Sequence, residues 1–247
     1  TDQQGILRTT SFERNSLNIN LTPTFFNGDL KVTATMKGSH TKQNFGNTEA
    51  IGAAVAFDPT QPIRNGSTRW GGFFTWVAPA SATTLDPNGE PLTLATSNPV
   101  ALLEQTDNRS SVWRGLANVQ LDYRLRFFPA IKLTMNAGID YASADGHNNA
   151  PVNAAWIFEN GGGQRIDYTG VNKSKLLDLY ANYTKEFGKS KFDVTAGYSY
   201  QSFERDGTNF GRNAQSGDAL IYTDYQTEVV NGDSVAVPRK FVSNPNY

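Results

Sequence analysis

The chain offers few side chains that could carry out catalysis. His40 and His147 are its 2 histidines, and both are predicted to lie in loops. A catalytic triad or an imidazole metal site would depend on one of them, whereas an isolated loop histidine is usually a surface residue. With 0 cysteines, the chain has no disulfide, thiolate metal ligand or thiol nucleophile. We therefore expect no enzyme activity, no metal and no cofactor.

Two short motifs resemble ligand-binding loops, but both lack the residues that would bind the ligand. GGGQ at 161–164 is not followed by the Lys-Ser/Thr pair of a phosphate-binding loop. DGHNN at 145–149 lacks the alternating carboxylates and terminal Glu of a calcium loop. We interpret both motifs as turns within long loops.

Aromatic clusters are better candidates for binding. The segment RWGGFFTW at 69–76 places four rings beside an arginine, and a second predicted loop carries another tryptophan. Sugar rings have apolar C–H faces that stack on such rings. The alternative is that the rings hold the loops against neighbouring segments. The candidate substrate-binding residues are Arg69, Trp70, Phe73, Phe74, Trp76 and Trp156.

Composition limits the class of protein. A net charge of -1, without a basic stripe, argues against binding to nucleic acid. No run of about 18 apolar residues occurs, so the sequence predicts no membrane-spanning helix. The aromatic content of 12% favours β structure.

Alternation of apolar and polar residues predicts three long β-hairpins, at about 16–38, 111–142 and 174–203. In the first, Asn27-Gly28 suits the positive φ angles of a tight turn. Each arm has about ten alternating residues, which is long enough to cross a bilayer when tilted. The segments outside the hairpins, about 39–110, 142–173 and 203–247, are predicted to be long loops. Short turns at one end and long loops at the other are typical of outer-membrane barrels.

Charged residues on the polar strand faces suit a water-filled lumen better than a dry core. We therefore predict an all-β fold of antiparallel transmembrane barrel strands, and 1–247 as one partial barrel domain. Six strands cannot close a barrel in lipid, so this is part of a larger one. A soluble β-sandwich that binds carbohydrate is the alternative, and a structural, adhesin-like β protein is a third.

Several segments, in order, resemble SusC/RagA-type TonB-dependent transporters. These are SFERNSLNINL with its Asn-Gly hairpin, AIGAAVAFDPTQPI, SNPVALLEQTDNRSS, RGLANVQLDYRL and IKLTMNAGIDY. The similarity covers most of residues 5–141 and extends more loosely through the third hairpin.

The resemblance implies a barrel of about 22 strands filled by a plug, of which this chain is the early-to-middle part. It implies import of oligosaccharides, or sometimes peptides, across the bacterial outer membrane. TonB would drive import through a plug region absent here, and a SusD-like surface lipoprotein would cap the external loops. The expected surroundings are outer-membrane lipid, with no nucleic acid.

Overall fold

The computed structural model describes residues 1–79, 86–160, 162–217, 219–230 and 233–243. They form one antiparallel sheet in the order β1-β2-β4-β5-β6-β7-β8-β9-β10, with β3 paired to β4. The strands are β1 Asp2–Gln4, β2 Ser11–Leu21, β3 Thr24–Phe25, β4 Leu30–Asn44, β5 Asp107–Arg124, β6 Ile131–Ala150, β7 Gln164–Phe187, β8 Ser190–Asn213, β9 Ala219–Val230 and β10 Asp233–Ser243. Two helices, α1 (Glu49–Ala56) and α2 (Pro99–Glu104), lie between β4 and β5.

Cross-strand register aligns the apolar residues of neighbouring strands on one face. Val32 pairs with Leu121, which pairs with Met135, and this row continues through Leu179 to Tyr198. Side chains along this face stay open to their surroundings: Tyr198 is 59% exposed and Met36 58%. No second layer of the described residues covers this face, as it would in a β-sandwich. The prediction of an antiparallel, open barrel sheet is confirmed.

The opposite face carries polar networks. Arg114 donates from Nε to Asp140 Oδ1 at 2.9 Å and makes a second contact to the other carboxylate oxygen. Asp122 accepts from Lys132 Nζ at 2.9 Å and from the Thr134 hydroxyl at 2.9 Å. Since charges need partners or water when they leave bulk solvent, these pairs suit the wall of a wet lumen.

The first hairpin turn has the positive φ angles that the sequence predicts at Asn27 and Gly28, but it is longer than predicted. Asn27 and Gly28 have φ angles of 58° and 94°, in the left-handed region that Asn and Gly tolerate best. Phe26 also has a positive φ, of 57°. A short 3-10 turn over Phe26–Gly28 therefore replaces the simple two-residue connection.

The strands extend beyond the predicted hairpin limits. β4 continues to Asn44, β6 to Ala150 and β8 to Asn213. The range 203–247 was expected to be loop but contains the end of β8 and all of β9 and β10. The continuations of β4, β6 and β8 carry few large apolar residues, so they lack the apolar alternation from which a strand is recognised. The described part of the sheet has ten strands where the sequence indicated six, because β1, β3, β9 and β10 join the six predicted strands.

Among the described residues, no helix combines the length and the apolar character needed to cross a membrane.

The first prediction tests which face meets lipid. Val119→Arg puts a charge on the apolar face near the middle of the alternating part of β5, residues 113–124, and should cost about 2–4 kcal/mol of folding free energy in a bilayer. Gln120→Arg, one residue along on the polar face, is the matched control and should cost little. Urea unfolding of the full-length protein in liposomes measures both. Equal costs for the two variants would contradict the assignment of faces.

Candidate functional site in the long loops

The long connections gather at one end of the sheet. Residues 45–106 join β4 to β5 and residues 151–163 join β6 to β7, next to the register pairs Asn44–Arg109 and Ala150–Gln164. The buried apolar side chains of the described residues lie in these loops, in the two helices or at the adjoining end of β6. They are Ala50, Trp70, Phe73, Ala101, Leu102, Ala150, Ala154 and Ile157. The loops therefore form a packed layer with its own core.

Asn98 joins α2 to the aromatic segment. Its Oδ1 caps the helix by accepting from the N–H groups of Val100 at 3.0 Å and Ala101 at 3.3 Å. Its Nδ2 donates to the carbonyls of Ile63 at 2.8 Å and Phe74 at 3.2 Å. Asn98 is 5% exposed, so these bonds satisfy a buried amide. This arrangement fixes the aromatic segment against the helix.

Trp70 is buried in this layer. Its ring is 2% exposed and its Nε1 donates to the Gly89 carbonyl at 3.1 Å. The Arg69 guanidinium lies 4.6 Å from the Trp70 ring centroid and forms an ion pair with Glu90 at 2.8 Å. The edge of the ring meets Phe158, with centroids 5.5 Å apart. Little of the Trp70 surface remains for a ligand.

Phe73 is also buried, beneath a charged pair. The Arg64 guanidinium lies 4.1 Å from the Phe73 centroid and contacts Glu104 at 2.6 Å. Glu104 accepts a second cation, Arg8, at 2.9 Å. This cluster ties the N-terminal segment, the aromatic segment and α2 together.

Trp76 and Trp156 line a cavity of about 80 Å³. Phe158, Asn98 and Gln105 contribute to its wall, together with Thr and Ser side chains, and none of the wall residues that the structure describes is charged. Trp156 Nε1 and Gln105 Oε1 are buried and have no hydrogen-bond partner among the described residues. Phe74 packs its edge on Trp76, with centroids 5.1 Å apart. Three rings beside neutral polar groups suit a small, uncharged, hydroxyl-bearing group of a ligand, because the cavity is too small to enclose a whole ligand.

The structure places the six candidate residues in two different settings. Arg69, Trp70, Phe73 and Phe74 are engaged in loop packing, whereas Trp76 and Trp156 share the cavity wall. Substrate binding by any of them stays a prediction. Asn98 and Gln105 were missed by the sequence analysis. The Asn98-Pro99 pair is a helix-start signal that could have indicated Asn98, and nothing in the sequence indicated Gln105.

Both histidines lie in strands, so their prediction as loop residues was wrong. His40 is in β4, stacked on Trp113 with centroids 4.0 Å apart, and its Nε2 lies 3.1 Å from the Ser111 hydroxyl. His147 is in β6, and its Nε2 lies 3.2 Å from Asp107 Oδ2. The DGHNN motif, interpreted as a loop turn, is therefore part of β6. Within the described ranges, no three potential ligands cluster as a metal site.

Residue 161 of the GGGQ motif lies outside the described residues. Gly162 and Gly163 that follow have φ angles of 89° and 69°, and Gln164 begins β7. These angles suit glycine at the sharp entry to the strand.

Asp58 illustrates how polar turns are fixed in the first loop. The Thr60 backbone N–H donates a hydrogen bond to Asp58 Oδ1 at 2.9 Å, and the Thr60 hydroxyl donates to the same oxygen at 2.7 Å. Both bonds favour the ionised carboxylate and hold the pKa of Asp58 below its ordinary value.

An open antiparallel sheet with one apolar face, one charged face and long loops at one end defines a segment of an outer-membrane β-barrel. Its sequence is 30% identical over 225 residues to the TonB-dependent receptor SusC of Bacteroides thetaiotaomicron. That match covers 86% of this chain and 21% of SusC. The chain thus spans about a fifth of the length of SusC, and this similarity supports a partial barrel of the SusC/RagA type of TonB-dependent transporter, a class found in the bacterial outer membrane.

Solved structures share the fold. The RagAB peptide importer in its closed-closed state aligns with a TM-score of 0.57 and 15% identity, over 95% of this chain and 30% of that one. A second structure, of the RagAB peptide transporter, aligns with a TM-score of 0.56 and 16% sequence identity, over 96% of this chain and 25% of that one. No protein-family model matches the chain.

The second prediction concerns the loop core. Trp70→Ala removes a buried ring and should destabilise the loop layer by about 3–5 kcal/mol. Trp113→Ala, at a ring that is 60% exposed, is the control and should leave the loops intact. Hydrogen–deuterium exchange of residues 62–79 and 86–106 in the full-length protein measures the effect. Unchanged exchange in Trp70→Ala would show that the ring is not a core residue.

Proposed function

We propose that this chain is part of a TonB-dependent importer of large nutrients, oligosaccharides or peptides, across the bacterial outer membrane. The observation that carries the proposal is the two-faced sheet, with an uncovered apolar face opposite rows of paired charges such as Arg114–Asp140. Such a sheet forms the wall of a water-filled barrel. The similarity to a TonB-dependent receptor and to peptide importers supports transport rather than catalysis.

The proposed partners follow from the same similarity. SusC is named as TonB-dependent and RagAB as a peptide importer. By analogy, TonB would supply energy through a plug elsewhere in the protein, and a SusD-like surface lipoprotein would cover the loop end. In this scheme, the chain supplies a section of barrel wall and a loop layer that faces incoming substrate.

Trp76 and Trp156 are the residues we propose for substrate contact. The described wall residues of the cavity they share are uncharged, and Gln105 and Trp156 each have one buried polar atom without a partner in the described part of the chain. A bound hydroxyl or amide can both donate and accept, so it would satisfy such groups. Leaving them unpaired costs free energy, which favours a ligand that reaches them.

The third prediction tests this contact. In the full-length protein with its lipoprotein partner, Trp76→Ala and Trp156→Ala should each weaken substrate binding by about tenfold, since each removes an aromatic stacking surface. Calorimetry with panels of oligosaccharides and peptides gives the affinities and identifies the substrate class. Trp113→Ala, on the apolar face of the sheet, is the matched control. Unchanged affinity in both cavity variants would assign these rings to packing alone.

A further inference from the structure

The apolar face has a groove near the short-turn end of the sheet. Ala181 on β7 and Ala196 on β8 are register partners, so two methyl groups lie side by side between larger residues. Leu179 and Tyr198 form the next row of the same face. The groove has a volume of about 740 Å³ and extends across the sheet. Its wall residues include Phe26, Leu30, Leu121, Tyr123, Leu133 and Met135.

A band of aromatic rings lies between this groove and the strand ends. Phe128 stacks on Tyr183, with centroids 6.0 Å apart, and the Tyr183 ring meets Phe192 at 6.4 Å. Aromatic side chains collect at this depth because the membrane interface accommodates both their apolar body and a polar tip. The band therefore marks the level at which hydrocarbon gives way to lipid headgroups.

Lys185 lies at this level and on this face. It is the register partner of Phe192, and its Nζ lies 5.1 Å from the Phe187 ring centroid. Side chains an even number of residues apart on a strand point to the same face. Lys185 and Ala181 are both on β7 and four residues apart, so the Lys185 cation lies on the same face of the sheet as the groove. Lys185 forms no ion pair with a carboxylate of the described residues. An exposed lysine at the interface extends its ammonium toward the headgroups.

The spacing between the cation and the groove matches one lipid molecule. Four residues separate Lys185 from Ala181, which is about 13 Å along a strand. The hydrocarbon of one leaflet is about 15 Å deep, half of the bilayer core. A lipid with its phosphate on Lys185 therefore has an acyl chain long enough to fill the groove.

We propose that this surface binds an anionic glycerophospholipid, with its phosphate on Lys185 and one acyl chain over Ala181 and Ala196. An apolar groove with a cation at its rim that makes no ion pair within the described part of the chain is complementary to an amphiphile with an anionic head. The inference depends on the apolar face meeting lipid, and it does not depend on the nutrient or on transport. The lipid bound at this site would stay in place while the surrounding lipids exchange freely.

Native mass spectrometry of the full-length protein, titrated with phosphatidylglycerol in detergent, tests the proposal. Lys185→Gln should reduce retained phosphatidylglycerol by about fivefold, the effect of one lysine near an anionic headgroup. Lys185→Arg should retain the lipid, because it keeps the charge. A double variant, Ala181→Leu with Ala196→Leu, fills the groove with apolar atoms and should also reduce retention. Lys189→Gln, in the adjacent turn, is the matched control and should bind as the parent does.

Two results would overturn the proposal. Equal retention in the parent, Lys185→Gln and the double variant would show that only unspecific surrounding lipid is present. A loss in Lys189→Gln as large as that in Lys185→Gln would show a diffuse charge effect without a site. Heat-modifiable migration of each variant on a gel establishes that the barrel has folded before binding is compared.

Discussion

Register is the constraint on which the rest of this structure depends. From β2 to β8, each strand pairs residue for residue with its neighbour, and the five pairings contain no bulge. In lipid the backbone groups have no water to bond, so an unbroken ladder is the arrangement that satisfies them. A slip of one residue would move every apolar side chain of a strand to the polar face. The ladder thus fixes both the backbone bonds and the separation of the two faces.

The distribution of packing follows from this constraint. In a soluble sheet, one face would be covered by a second layer of the same molecule. Here the sheet leaves its apolar face open, and the buried side chains lie in the loop layer and at the sheet end next to it, around Trp70 and Ala154. Charges on the other face are paired across strands, as Lys132 is with Asp122. The strands therefore suit a membrane, while the loops behave as a small globular unit held at one end.

The sequence predicted those features that depend on local pattern. The hairpin at Asn27-Gly28 and the alternation along β5 and β6 were visible because apolar and polar residues change every second position. The extensions of β5 and β6 were not visible, because the segments around Ser110 and Asp145 carry polar residues on both faces of the strand. Aromatic loop residues were visible as a cluster, but sequence cannot separate a buried Trp70 from a cavity-lining Trp76, because packing and binding select the same rings. Gln105 has no local signal, since its role depends on contacts with Asn153, distant in the chain.

The most direct test of the account is whether the apolar face meets hydrocarbon. Nitroxide labels placed singly at residues 113–124 of β5, in the full-length protein in bilayers, report contact with oxygen in lipid and with a polar nickel reagent in water. If the apolar face meets hydrocarbon, contact with each reagent should alternate with a period of two residues. Oxygen contact should be high at Val119 and Leu121, and nickel contact should be high at Asn118 and Gln120. Low contact with both reagents at Val119 and Leu121 would show protein covering that face, and would contradict the membrane barrel.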